Sequence, residues 1–135
     1  MGITRSAGTI IGTAVTLTAT NRNIGSISNT IRTEANTLTL TANNADSFGG
    51  GIFINELNAA QLNATSTNQN LIITSGGTLT VAGITNAEGQ LQLTTTAGNI
   101  ILNNTVGNIA TIDTRLQANG SILGISQVAG ATLEM

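Results

Sequence analysis

The sequence predicts an all-β fold, a right-handed parallel β-solenoid (β-helix) of about six coils with roughly 20–25 residues per coil. Three observations lead to this prediction: apolar residues alternate with threonine, a Gly-x-(Ile/Leu) unit recurs along the chain, and proline is absent from all 135 residues. Proline would remove a donor from the backbone ladder that joins neighbouring coils. Residues 1–135 are interpreted as a single β-solenoid repeat segment, and neither end of it carries a recognisable cap.

The strands are predicted from short runs of strict alternation, of which Ala14–Thr18, Thr37–Thr41 and Thr78–Val81 are the clearest. A strand places successive side chains on opposite faces, so each run separates an apolar face from a threonine face. Thr, Val and Ile also favour strands. Only Asn55–Leu62 shows a weak helical pattern. The alternation predicts the following inward-facing core residues: Leu38, Leu40, Ile52, Ile54, Leu79, Val81, Ile100 and Leu102.

The coils are predicted from the recurring glycine unit. One repeat of about 22 residues cannot bury its own apolar face, whereas stacked repeats form a continuous core. A β-sandwich also contains many short strands, but it rarely repeats a glycine corner and usually has aromatic core residues. The unit recurs as Gly8-Thr9-Ile10, Gly25-Ser26-Ile27, Gly50-Gly51-Ile52, Gly77-Thr78-Leu79, Gly98-Asn99-Ile100 and Gly120-Ser121-Ile122, with an extra copy at Gly107-Asn108-Ile109.

Three segments, Gly77–Gly83, Thr96–Leu102 and Leu116–Leu123, resemble repeats of filamentous-haemagglutinin-like bacterial adhesins, the large exoproteins of two-partner secretion. The resemblance extends over about residues 8–125. It implies a secreted structural or interaction protein at the bacterial cell surface, either an interior piece of a fibre or a small self-assembling relative. The Asn-Pro-Asn motif of the family's secretion domain does not occur, and no residue matches a receptor-binding motif.

The composition excludes several classes of function. The chain has neither His nor Cys, which excludes zinc sites built on those ligands, thiol catalysis and imidazole acid–base chemistry. A net charge of −2 with four arginines excludes electrostatic capture of nucleic acid. The sequence contains no run of 18 consecutive apolar residues, so it predicts no membrane-spanning helix. The first residues lack the pattern of a signal peptide, so we expect any secretion to be directed by sequence elsewhere.

Carboxylates are the remaining acid–base groups, and stacked coils could align Glu34 with Glu56 or Glu88 with Asp113. Two carboxylates a few ångströms apart would resemble a glycosidase, so a polysaccharide-active β-helix enzyme is one alternative. The whole chain has only four basic and two aromatic residues with which to bind a sugar, and we therefore expect no enzyme and no catalytic residue. The six acids are isolated along the chain: Glu34, Asp46, Glu56, Glu88, Asp113 and Glu134.

Two further features of the sequence are candidate binding sites. The oxygen-rich stretch Asn43–Gly51 could ligate calcium, but it does not match a calcium-binding repeat, so we expect no metal and no cofactor. Thr-x-Thr units could display hydroxyl ranks, which makes an ice- or glycan-binding solenoid the second alternative. The units are Thr16/Thr18, Thr37/Thr39/Thr41, Thr78/Thr80 and Thr94/Thr96.

The expected partner is another part of the same structure. Thr9–Ile11 and Ile122–Ile125, near the two ends, are apolar and uncharged, and the chain lacks both Pro and Lys, two common guards of strand edges. We therefore expect end-to-end stacking, or continuation in a longer fibre, together with contact to a host or neighbouring cell surface.

Overall fold

The computed structural model describes residues 2–43, 50–67, 70–87, 89–103, 106–110, 113–124 and 131–134, and within these residues it is all-β. None of the described residues forms a helix that is long and apolar enough to cross a membrane. The strands are β1 (Ile10–Thr20), β2 (Ile31–Asn43), β3 (Gly51–Glu56), β4 (Ala60–Thr67), β5 (Asn70–Ser75), β6 (Leu79–Ala87), β7 (Gln90–Thr95), β8 (Ile100–Leu102), β9 (Val106–Ala110), β10 (Asp113–Ala118), β11 (Ile122–Gly124) and β12 (Ala131–Glu134).

The strands form two parallel ladders that meet at β2. Ladder A runs from the first residues of β2 through β3, β5, β7 and β10 to β12. Ladder B runs from β1 through the rest of β2 to β4 and β6, followed by β8 and β9, with β11 on β8. Because every pairing between these strands is parallel and the chain alternates between the ladders at tight corners, the molecule is a β-solenoid.

The predicted β-solenoid class is confirmed, and the solenoid has about four turns, slightly fewer than the six coils predicted. A strand of ladder A, a corner and a strand of ladder B follow one another in β3–β4, β5–β6, β7–β8 and β10–β11. Three copies of the glycine unit mark equivalent corners, because Leu79, Ile100 and Ile122 are paired in register. The copy ending at Ile27 instead lies in a local turn, where that side chain is 79% exposed.

The predicted inward face is confirmed by burial. All eight residues assigned to the core are at most 5% exposed. Each contributes to a column of apolar side chains that passes through successive turns, and full burial of such a side chain contributes about 1.5–3 kcal/mol. One such column in ladder B is Val15, Leu38, Leu62, Val81 and Leu102, and the matching column in ladder A is Ile31, Ile54, Ile73, Leu93 and Leu116.

The weak helical pattern over Asn55–Leu62 does not produce a helix. Strand β3 ends at Glu56, a corner follows, and β4 begins at Ala60. Leu57 lies in the corner and is half-buried, whereas Leu62 is fully buried in β4, so the two leucines do not share one helical face. Pairing of both strands with their neighbours supplies backbone hydrogen bonds that an isolated helical turn would not.

Candidate functional site

Among the described strands, β1 is an edge strand of ladder B at the N-terminal end. Ten residues of β1 pair in parallel with β2, and β1 pairs with no other described strand. Its inward side chains Val15, Leu17 and Ala19 are buried, while Ile10 and Ile11 are 39% and 72% exposed. The strand has no charged residue and no proline, so it lacks the usual features that prevent another strand from adding to an edge.

At the same end of the molecule, the chain before β1 forms hydrogen bonds next to ladder A. The Ile3 N–H donates to the Asn23 carbonyl at 2.9 Å, and the Gly25 N–H donates to the Ile3 carbonyl at 2.8 Å. The Arg5 Nε donates to the Thr30 carbonyl at 3.0 Å. These bonds occupy backbone groups next to the start of β2, so the chain before β1 partly covers ladder A and leaves the edge of ladder B open.

At the other end, β11 is an edge strand among the described residues, because it pairs with β8 alone. Leu123 is 46% exposed. Gly124 occupies the column of Leu102 and has a φ of 105°. A Cβ on Gly124 would lie 2.2 Å from the Leu102 carbonyl oxygen, so glycine is required there.

Among the side chains whose burial the structure describes, Glu56 is the one charged group that is fully buried. Its Oε2 accepts the Thr33 hydroxyl at 2.7 Å. Its Oε1 accepts the backbone N–H groups of Ala35 at 3.0 Å and Asn58 at 3.2 Å. The carboxylate therefore joins the corner of one turn to the neighbouring strand β2, with three hydrogen bonds that replace its hydration.

Glu34 directly follows Thr33, the residue of β2 that pairs with Glu56, and its side chain therefore lies on the opposite face of the strand. Its Oε1 accepts the Asn58 side-chain amide at 3.0 Å, and Glu34 lines an open concavity of about 330 Å³ to which Glu56 does not contribute. The predicted alignment thus brings the two residues to one corner without presenting both carboxylates to one cleft. For the other predicted pair, Glu88 and the side chain of Asp113 lie outside the described residues.

A buried polar column at this corner was missed by the sequence reasoning. Thr33, Glu56, Ser75 and Thr95 stack in register and are at most 3% exposed. The Ser75 hydroxyl donates to the Asn58 carbonyl at 2.7 Å, and the Thr95 hydroxyl donates to the Gly98 carbonyl at 3.2 Å. A sequence signal existed: each polar residue follows an inward apolar residue by two positions, which places it on the inner face.

The Thr-x-Thr units form only partial ranks. Thr16 pairs with Thr39, and Thr18 pairs with Thr41. In the next turn the position beside Thr39 is Asn63, while the position beside Thr41 is Thr65. Two adjacent columns of threonine therefore coincide in only two strands, which is a smaller regular array than the spacing in the sequence suggested.

The calcium candidate falls largely outside the described residues, which omit 44–49 and hence Asp46. Within the described part of the chain, no group of three acidic side chains is arranged to hold a metal ion.

Comparison with known proteins finds no matching family model, no matching curated protein and no matching solved structure.

Proposed function

We propose that this chain is a structural and interaction protein, a β-solenoid segment or subunit of a secreted bacterial surface filament or adhesin that continues end to end. The observation that supports it most is the outer edge of β1, which offers an uncharged strand paired on one side only. An open strand edge is a template for a further strand. The resemblance of the sequence repeats to filamentous-haemagglutinin-like adhesins supports the surface location.

The mechanical role follows from the two ladders. In a parallel solenoid the backbone hydrogen bonds run along the axis, so stretching the rod loads many bonds together. The apolar columns below them are continuous through the described turns. The outward face is mostly uncharged, because only ten of the 135 residues are charged. Such a rod suits a stiff spacer that presents a neutral surface.

Electron microscopy, fibre diffraction and light scattering of the isolated segment test this proposal. We expect filaments whose strands run perpendicular to the fibre axis, with an axial repeat of about 4.8 Å. A monomer whose mass is independent of concentration, without filaments at high concentration, would contradict the proposal.

A pair of lysine variants provides a matched comparison. Thr16 and Asn63 are exposed and belong to one outward column, but Thr16 is on the edge strand and Asn63 is in the middle of the ladder. We expect Thr16→Lys to slow filament formation and Asn63→Lys to have little effect, because both change the net charge equally and only the first places a charge at the edge. Equal behaviour of the two variants would show that the β1 edge is not used.

A further inference from the structure

We propose that two copies of this chain join head to tail in the register of the existing ladders, with the outer edge of β1 of one copy added to the outer edge of β11 of the next. This inference rests on the proposed function and names its partner and geometry. Continuing ladder B by one strand would place Val15 beyond Gly124 in one column and Ala14 beyond Leu123 in the neighbouring one.

Side-chain sizes at this junction are complementary. In the inward column, Gly124 has no side chain, and the next position would be filled by the branched side chain of Val15. In the outward column, the 46% exposed Leu123 would lie beside the small side chain of Ala14. Filling the inward position beside Gly124 leaves no void there, as the packing of a core requires. A junction shifted by one residue would instead place Leu123 next to inward-facing Val15 and reverse the faces.

Ladder A shows the same relation. Pairing of β1 with β2 begins at Ile10 and Thr33, and Gly8 precedes this pair in a turn conformation with a φ of 84°. Gly8 supplies no side chain, and a concavity of about 250 Å³ lies between Ile3, Gly8, Ile10 and Ile31. At the other end, the backbone register assigns Leu133 to the column of Ile31. In a head-to-tail junction, a leucine position would thus lie near the concavity beside Ile31 and Gly8.

The distribution of charge favours this polarity. The first 33 residues contain three arginines and no acidic residue, whereas residues 88–135 contain three acidic residues and one arginine. Contact between two N-terminal ends would bring like charges together, while contact between unlike ends is attractive. Head-to-head contact would also pair β1 with a second β1 in antiparallel orientation, unlike the pairings between the described strands.

Cysteine cross-linking tests the register, because the chain contains no cysteine of its own. Neighbouring strands lie about 4.8 Å apart, which is within the Cα separation that a disulfide allows. Ala14 and Leu123 are both exposed. We expect a mixture of A14C and L123C to form disulfide-linked dimers under mild oxidation. The doubly substituted A14C/L123C protein should form a series of covalent multimers of increasing size.

The matched control is T18C mixed with L123C. Thr18 is exposed on the same face of β1, but it lies four residues further on, a distance of about 13 Å along the strand. We expect its cross-linking to be at least about tenfold slower, since disulfides do not form when the Cα atoms are more than about 7 Å apart. Circular dichroism of each variant confirms that the fold is retained.

The outcomes separate this inference from the proposed function. Filaments without an A14C–L123C disulfide, or with equally fast T18C–L123C cross-linking, would overturn the register and leave the proposed function standing. Rapid A14C–A14C dimers without the mixed product would indicate head-to-head contact and overturn the polarity. Absence of both filaments and cross-links would overturn both proposals.

Discussion

Removal of the Glu56 side chain tests whether the buried polar column is part of the folding energetics. Glu56→Ala removes the acceptor for three donors: the Thr33 hydroxyl and the N–H groups of Ala35 and Asn58. The side chain is fully buried, so the change leaves donors and a small cavity inside the corner.

The expected magnitude follows from what each donor can do afterwards. Asn58 is exposed, so its N–H can bond to water. Thr33 and Ala35 are buried, and each unsatisfied buried donor costs about 1–3 kcal/mol. Release of a buried carboxylate offsets part of this loss. We therefore expect Glu56→Ala to lower the free energy of unfolding by about 3–5 kcal/mol.

Two variants calibrate the measurement. Glu56→Gln keeps one acceptor oxygen for the backbone N–H groups, so we expect an intermediate loss. Glu34→Ala removes one hydrogen bond to an exposed amide, and we expect a loss of less than about 1 kcal/mol. Urea titration followed by far-ultraviolet circular dichroism gives the order, and amide hydrogen exchange at Ala35 reports the corner directly, since that N–H should exchange faster in Glu56→Ala.

A Glu56→Ala protein as stable as Glu34→Ala, with unchanged exchange at Ala35, would refute this reasoning. It would mean that the three hydrogen bonds only compensate the burial of the charge and add no net stability.

The two remaining predictions concern the core and metal ions. Leu38→Asp should lower the free energy of unfolding by more than about 3 kcal/mol, because it buries an unpaired charge at a fully buried position. The outward substitution Thr39→Ser should change it by at most about 0.5–1 kcal/mol. Equal shifts of the two variants in a urea titration would contradict the assigned faces. Excess EDTA should leave the melting temperature unchanged, because the described core is apolar and the corner carboxylate is satisfied by protein donors; a fall that calcium reverses would instead indicate a site near Asp46.

The strand content and the inward faces could be predicted from the sequence because they depend on local alternation. Leu38 and Leu40 face inward for the same reason that Thr39 faces outward, namely the two-residue period of an extended backbone. No knowledge of the partner strand is needed for that assignment. The solenoid class followed from repeated units that could bury their apolar side only by stacking.

The pairing of the strands could not be predicted in this way, because both ladders have the same local pattern. Leu38-Thr39-Leu40 and Leu91-Gln92-Leu93 look equivalent in sequence, yet the first belongs to ladder B and the second to ladder A. The glycine units did not give the correct number of turns for a related reason. A glycine permits the backbone to bend, but it does not determine whether the bend is a local turn or a corner of the solenoid. The copy at Gly25 forms a local turn, whereas the copy at Gly98 forms a corner.

The hydrogen-bond partners of the buried Glu56 could be identified only from the three-dimensional structure. Between the paired positions Thr33/Glu56 and Thr37/Gln61, β2 has three residues where the next turn has four. At this mismatch the Ala35 N–H bonds to the Glu56 carboxylate. Charge and hydropathy favour a surface position for an isolated glutamate. Here the one-residue difference between β2 and the next turn brings the Ala35 N–H, 21 positions away in the chain, within hydrogen-bonding distance of the buried carboxylate.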